Sequence, residues 1–297
     1  MRITHDLTAL ALAEKTSTLT RRDFLKMSGK AALATTLGGT LYSLHEREDC
    51  RVARHTIRVP RLPAQFAGMR VAFLSDIHHS AVVALDYIRR VVALANAQKP
   101  DVILLGGDYV THGREWIEPC IAELGKLRAP GGVFAVLGNH DHYGHCAGFS
   151  REALRKNHIA ELTNSGAWLR RGGGRLRICG VGDFWCDHQN LDAALEDTRV
   201  YETALLLSHN PDYVEKIRDS RVGLVLSGHT HGGQCVFPFI GAPVVPSKFG
   251  QKYLRGLRRG PVTQVFVTTG VGMIKPAVRF NCPPEIALLT LHPQTQR

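Results

Sequence analysis

From Thr56 onward, short apolar runs rich in Val, Ile, Leu and Phe alternate with amphipathic stretches, the pattern left by strands and helices taking turns, and so an α/β fold. The runs that predict strands are Val71 to Ser75, Val102 to Gly106, Val133 to Leu137, Leu176 to Val181, Ala204 to Ser208, Leu224 to Ser227, Gln264 to Thr268 and Glu285 to Leu291. Between them, Ala84 to Ala97 places Leu85, Ile88, Val91, Val92 and Ala95 on one helical face, and Trp116 to Leu127 repeats the arrangement. Gly172-Gly173-Gly174 reads as a hairpin turn joining Ala167 to Arg171 and Arg175 to Gly180. No internal repeat, low-complexity tract or linker interrupts this pattern, so residues 46–297 form one expected domain.

The first 45 residues read differently. Thr20-Arg21-Arg22-Asp23-Phe24-Leu25-Lys26 precedes fourteen uncharged residues, Ala31 to Leu44, which resembles a twin-arginine export signal: paired arginines, an apolar position shortly after them and a modest apolar region. As a helix, fourteen residues rise only about 21 Å, short of the roughly 30 Å hydrocarbon core of a bilayer. No Ala-x-Ala site follows before Glu46-Arg47-Glu48, which leaves open a signal retained as a membrane tether. The expectation is an exported, periplasmic or cell-envelope protein that meets the twin-arginine translocase on its way out.

Composition adds little to the fold but something to the partners. The 297 residues are 44% hydrophobic and 21% charged, ordinary for a globular chain, with a net charge of +11. The first 45 residues hold six Lys/Arg against three Asp/Glu, leaving +8 on the rest. That balance favours anionic partners such as phosphorylated small molecules, acidic lipid head groups or wall polymers. No compact Lys/Arg run is interleaved with aromatics, so nucleic acid is not an expected partner. Seven cysteines without a CxxC pair exclude a zinc ribbon, and their odd number leaves at least one thiol unpaired.

Chemistry concentrates where the predicted strands end. Asp76-Ile77-His78, Gly107-Asp108, Gly138-Asn139-His140-Asp141, Ser208-His209-Asn210 and Gly228-His229-Thr230-His231 each follow an apolar run, and open α/β sheets place ligand sites beyond the carboxyl ends of their strands. Carboxylate, imidazole and amide oxygen are donors for divalent Mn, Fe or Zn. Two such ions sharing a carboxylate can clamp both oxygens of an in-line displacement at phosphorus. The glycines before Asp108, Asn139 and His229 would let the chain turn sharply and leave room for a phosphate.

These five segments, spanning about Ala72 to Gly233, resemble the signature of the calcineurin-like metallophosphoesterases: Asp-x-His, Gly-Asp, Gly-Asn-His-Asp, His and Gly-His-x-His. The resemblance implies a four-layer sandwich of two mixed sheets flanked by helices, two divalent metal ions and a metal-bound hydroxide as nucleophile. It places Asp76, His78 and His231 on the first metal, Asn139, His209 and His229 on the second, and Asp108 between both. It makes His140 the general acid, and an imidazolium beside a leaving oxygen suits that task near neutral pH; Asp141 would orient or charge it. A lone histidine is more often a core or surface residue, and His79, His142, His145 and His188 are read that way, as loop or supporting positions. Gly232-Gly233-Gln234, Thr269-Gly270-Val271-Gly272 and Arg279 before Pro283-Pro284-Glu285 extend the likeness to a bacterial exported subgroup. That subgroup includes cell-envelope phosphoesterases and enzymes similar to UDP-2,3-diacylglucosamine pyrophosphohydrolase. On that footing Arg279 would sit at the surface or contact a phosphate, and Lys252, Tyr253 and Arg255 would line a substrate entrance. A wall- or membrane-binding protein with a relic site is the alternative of another class, disfavoured because every expected ligand is present.

Overall fold

The computed structural model describes residues 21–294; the first twenty residues, including Thr20 at the head of the twin-arginine stretch, lie outside them. The chain divides into two compact units, one ending at Leu41 and one beginning at Tyr42. Helix α1 is Arg21–Glu46. Among the described residues no helix is long and apolar enough to cross a membrane.

Among the described residues, the unit beginning at Tyr42 contains twelve strands in two six-stranded sheets. In the first sheet the order is β1 (Arg51–Val59), β12 (Glu285–Pro293), β2 (Met69–Leu74), β3 (Val102–Leu105), β4 (Val133–Ala135) and β5 (Ala160–Glu161). All its pairings are parallel except β12 with β2. The second sheet runs β10 (Gly256–Arg259), β11 (Gln264–Val267), β9 (Val222–Ser227), β8 (Ala204–Leu207), β7 (Gly174–Gly180) and β6 (Ser165–Arg171). Its two edge pairs are antiparallel and its interior is parallel.

Alternation along the strands sorts the core into three layers, because successive side chains of a strand face opposite ways. Val71 and Phe73 of β2, Val102 and Leu104 of β3, and Leu205, Leu207, Leu224 and Leu226 of the second sheet pack between the two sheets. Ala72, Leu74, Ile103 and Leu105 face outward onto α2 (Leu85–Ala97), α3 (Ile117–Leu124) and α5 (Ala147–Lys156). Val222 and Val225 pack with Ala194 and Leu195 of the short α6 (Leu191–Leu195) and with Tyr213 and Val214. The result is the expected sandwich of two mixed sheets flanked by helices.

All eight strand runs are strands, and the Gly172-Gly173 turn joins β6 to β7 with both glycines at positive φ, 50° and 79°. Helix α3 is shorter than the run from Trp116 to Leu127, since a 3-10 turn occupies Arg114–Trp116 and Gly125 closes the end. Strands β1 and β10 gave no signal for a shared reason. Each is an edge strand with little buried surface, and the sequence of β10, Gly-Leu-Arg-Arg, is exposed or half-buried throughout. All seven cysteines are free, with Cys186 exposed.

Candidate metal centre

Parallel strands point their carboxyl ends the same way, and here five of them deliver polar side chains to one crevice. Just beyond β2 come Asp76 and His78, beyond β3 Asp108, beyond β4 the short helix α4 (Asn139–His142), beyond β8 His209, and beyond β9 His229 and His231. The loops are stitched together at this edge: the N–H of Asp76 donates to the Gly107 carbonyl, and the N–H of Gly228 to the His209 carbonyl. Asp76, His78, Asp108, His229 and His231 all have positive φ, between 51° and 68°, a region that non-glycine residues rarely adopt and that tends to cluster at functional sites.

The donors converge. Asp76, His78 and His231 offer ligand atoms within 4.8 Å of one another, as do Asp108, His209 and His229, and also His78, Asp108 and His140. Asp108 Oδ2 lies 3.2 Å from His209 Nε2 and 3.4 Å from His78 Nε2, so one carboxylate serves both sides. Asn139 Oδ1 is 2.9 Å from His229 Nδ1. The Nε2 atoms of His78 and His231 lie 3.1 Å apart with their rings stacked.

That crowding is the test of whether the residues fit a cation. Burial pushes His78 and His229 down to about 3 and His231 well below the usual range, so the crowded rings are neutral and each keeps one ring nitrogen unprotonated and able to ligate. A cation between them relieves that arrangement, and the donors of nitrogen, carboxylate and amide oxygen suit a divalent ion of borderline softness. Burial alone would raise Asp108, but the neighbouring His209 and His78 hold it well below the carboxylate range. Burial opposes a charge on His209 as well, yet the Asp108 carboxylate raises it to about 10. Burial lifts Asp76 to about 6.

Supporting groups fix which atom each ring presents. His209 Nδ1 lies 2.8 Å from the Gly106 carbonyl, an obligate acceptor, so Nδ1–H donates there and Nε2 faces Asp108. His140 is oriented the same way, its Nδ1–H donating to the Thr111 carbonyl at 2.7 Å and leaving Nε2 for the cleft. A cavity of about 350 Å³ opens beside His140, walled by Thr111, His112, Trp116 and Met273.

Several expectations need correcting. Asp141 does not act on the His140 ring: its two oxygens accept the N–H groups of Asp108, Tyr109 and Gly138, while burial and the nearby Asp108 raise it to about 7. Its role is to tie the β3 and β4 loops together. Arg279 is neither at the surface nor open to a phosphate. It is fully buried, and its guanidinium donates to the carbonyls of Thr269, Gly270, Gly272 and Cys282. Tyr253 is buried and, with Lys252, engages Glu215, Arg255 donates to the Asn281 carbonyl, and none of the three is among the residues that wall the cavities beside His140 and His231. The glycines before Asn139 and His229 make room for carboxylates, not for phosphate: a Cβ on Gly138 would strike Asp108, and one on Gly228 would strike Asp76.

His79, His142, His145 and His188 stay outside the donor sets; His79 is buried against Trp116 and bonded to the Val83 carbonyl. Three further residues shape the site without belonging to any of the five motifs. Thr111 offers its backbone carbonyl to His140, while its hydroxyl donates to the His78 carbonyl and lies 3.3 Å from His78 Nδ1. Tyr143 accepts the Asn139 Nδ2–H at 2.9 Å and so sets which way that amide points, a contact visible in the i, i+4 spacing. Trp185, half-exposed, stands edge-on over the His229 ring at 4.2 Å; it follows β7 as the other clusters follow their strands.

Comparison with known proteins agrees with this layout. Residues 69–233 match the calcineurin-like phosphoesterase family. The chain is 31% identical over 280 residues to the metallophosphoesterase YkuE of Bacillus subtilis, covering 92% of this chain and 98% of that one. It is 33% identical over 279 residues to the phosphodiesterase YaeI of Escherichia coli, covering 92% and 99%. Among solved structures, the NAD nucleotidase of Haemophilus influenzae aligns over 69% of this chain and 50% of that one at 13% identity, with a TM-score of 0.47. The segment that bears every convergent donor is thus the segment that matches the family, and the chain belongs to the calcineurin-like phosphoesterase family of metal-dependent phosphoric ester hydrolases.

Proposed function

We propose that the protein hydrolyses a phosphodiester at the cell envelope, using two divalent ions of the Mn, Fe or Zn class. Asp76, His78 and His231 would hold one ion and Asn139, His209 and His229 the other, with Asp108 shared between them. The observation that carries this reading is the single Asp108 carboxylate set between two histidine clusters. When bound, the ions supply Lewis acidity toward phosphoryl oxygens and water.

The chain's own residues supply the rest. The Thr111 carbonyl holds His140 with Nε2 in the cleft, where a protonated imidazole donates to the departing oxygen. Tyr143 keeps the Asn139 oxygen turned toward His229. Trp185 shields the open side of His229 and limits water there. The similarity to a relative named a phosphodiesterase supports a diester over a monoester.

A second reading, cleavage of a UDP-2,3-diacylglucosamine-type pyrophosphate, is favoured by one feature. A cavity of about 230 Å³ next to His231 is walled by Pro243, Val244, Pro246, Ile274 and Pro276, surroundings suited to an acyl chain. The relic-site alternative has no such support, since all seven donors are in place. Export through the twin-arginine route rests on Arg21 and Arg22; folding before export would let the metal be chosen where copper and zinc do not outcompete manganese.

The test is activity of metal-stripped enzyme resupplied with Mn, Fe, Zn or Mg on bis(p-nitrophenyl) phosphate, p-nitrophenyl phosphate and a nucleotide-sugar lipid. Restored hydrolysis of the diester is the expected result, and turnover of the sugar lipid alone would transfer the assignment to the second reading. Replacing Arg21 and Arg22 by Lys should strand active enzyme in the cytoplasm; normal delivery to the envelope would end the export proposal.

A further inference from the structure

The chain leaving His231 makes an unusual surface. Phe237, Phe239, Ile240, Val244 and Phe249 fall within thirteen residues and are all exposed, Phe239 at 110%, Ile240 at 70% and Val244 at 76%. The segment is not loosely held. Phe237 and Gly241 exchange both backbone hydrogen bonds, closing a tight hairpin over Pro238-Phe239-Ile240, and Gln251 Nε2 donates to the Ile240 carbonyl. At the tip Phe239 takes φ of 67°, a conformation unfavourable for an aromatic residue. Backbone strain is therefore accepted in order to hold two large apolar side chains away from the protein. Monomeric soluble proteins scatter exposed apolar residues singly, and a contiguous set marks a contact surface.

Its surroundings say what the surface meets. Phe237 stacks on Phe280 at 5.4 Å, and Phe280 meets the edge of Tyr42 at 5.5 Å, so aromatic rings continue the patch. Lys248 and Lys275 are exposed beside it, on a chain of net charge +11. Aromatic and aliphatic tips flanked by Lys are suited to the interface of an anionic bilayer, where rings sit at head-group depth and ammonium groups meet phosphates. The apolar cavity between Val244 and His231 connects the patch with the donor cluster.

We propose that the 237–249 hairpin inserts its apolar tip into the surface of an anionic lipid bilayer and presents the metal centre to the membrane interface. The insertion stands on the surface alone; only its use, bringing the site to substrates at the interface, rests on the phosphodiester reading.

The full chain is tested with equimolar phosphatidylglycerol/phosphatidylcholine vesicles and with phosphatidylcholine vesicles. The fluorescence of the Phe239→Trp variant, read as a difference against the wild type, should shift to the blue on binding and be quenched by brominated lipid. Phe239→Asp with Ile240→Asp should weaken partitioning about tenfold or more, and added salt should weaken it further on the anionic vesicles. An unquenched difference signal from the Phe239→Trp variant, together with undiminished partitioning of the double variant, would overturn the proposal, assigning any lipid contact to the residues before Tyr42. Lipid-free dimers that the double variant dissociates, with no quenching, would overturn it in favour of a second copy. Hydrolysis of bis(p-nitrophenyl) phosphate in solution by the double variant at the wild-type rate separates the two questions: a wild type inactive on that ester sinks the phosphodiester reading and leaves the docking result standing.

Discussion

The carboxylate of Asp141 accepts the backbone N–H of Asp108 at 2.7 Å, so the carboxylate that stands between the two histidine clusters is held in place by a second, buried carboxylate outside the donor sets. The same Asp141 also accepts from Gly138 at 2.9 Å, which joins the loop after β3 to the loop after β4. Asp141→Ala leaves three buried N–H groups without their acceptor, each costing on the order of 1–3 kcal/mol. The variant should melt at lower temperature and bind metal more weakly, yet turn over normally per bound metal pair. A kcat that stays low at saturating metal would return Asp141 to the chemistry.

Asp108→Asn should lose metal and activity together, because an amide offers one neutral oxygen where the two histidine clusters face a charged carboxylate. Metal content by atomic emission and hydrolysis of a soluble diester should fall in parallel, by about a hundredfold or more in affinity. A variant that keeps both ions would remove the bridge from the site.

His140 also stands within reach of His78 and Asp108 as a donor, and a substitution separates the two roles. His140→Ala should keep its metal and lose about 10²–10⁴ in rate, most for alkyl leaving groups and least for p-nitrophenolate, which needs no proton. Loss of metal instead would make His140 a ligand.

Arg279→Ala should act on stability and leave KM nearly untouched. The guanidinium bonds four carbonyls of the segment around Thr269–Cys282, and each buried carbonyl left without its donor costs on the order of 1–3 kcal/mol. Thermal unfolding checks the first claim and saturation kinetics the second; a raised KM at unchanged melting temperature contradicts it.

Cys186 should be the first thiol alkylated in the native protein, being the exposed one. Burial raises it to about 11 and Asp183 adds to the effect. A raised thiol ionises only at higher pH, so below that value its thiolate fraction and labelling rate should climb about tenfold per pH unit. Iodoacetamide labelling followed by mass spectrometry gives the profile, and a plateau near pH 8 to 9, where an ordinary thiol titrates at about 8.5, would refute it. Cys179, fully buried and pushed up to about 12, should stay unlabelled throughout.

The sequence by itself determined the strand frame and the donors. Interior strands such as Val102–Leu105 are buried on both faces and so are written as unbroken apolar runs, and the polar clusters that follow them name Asp76, His78, Asp108, Asn139, His209, His229 and His231. Edge strands escaped notice because an edge buries little and Arg51–Val59 need not be apolar along its length. Tertiary structure alone decided what the remaining polar residues do. Asp141 and Arg279 sit in motifs beside the chemistry, yet their charges are taken up by backbone groups from segments up to 33 residues away. Thr111 holds the His140 ring through a carbonyl that any residue would carry. Local sequence records which side chains can bind a cation or ionise; which backbone groups reach them first depends on where distant loops come to rest.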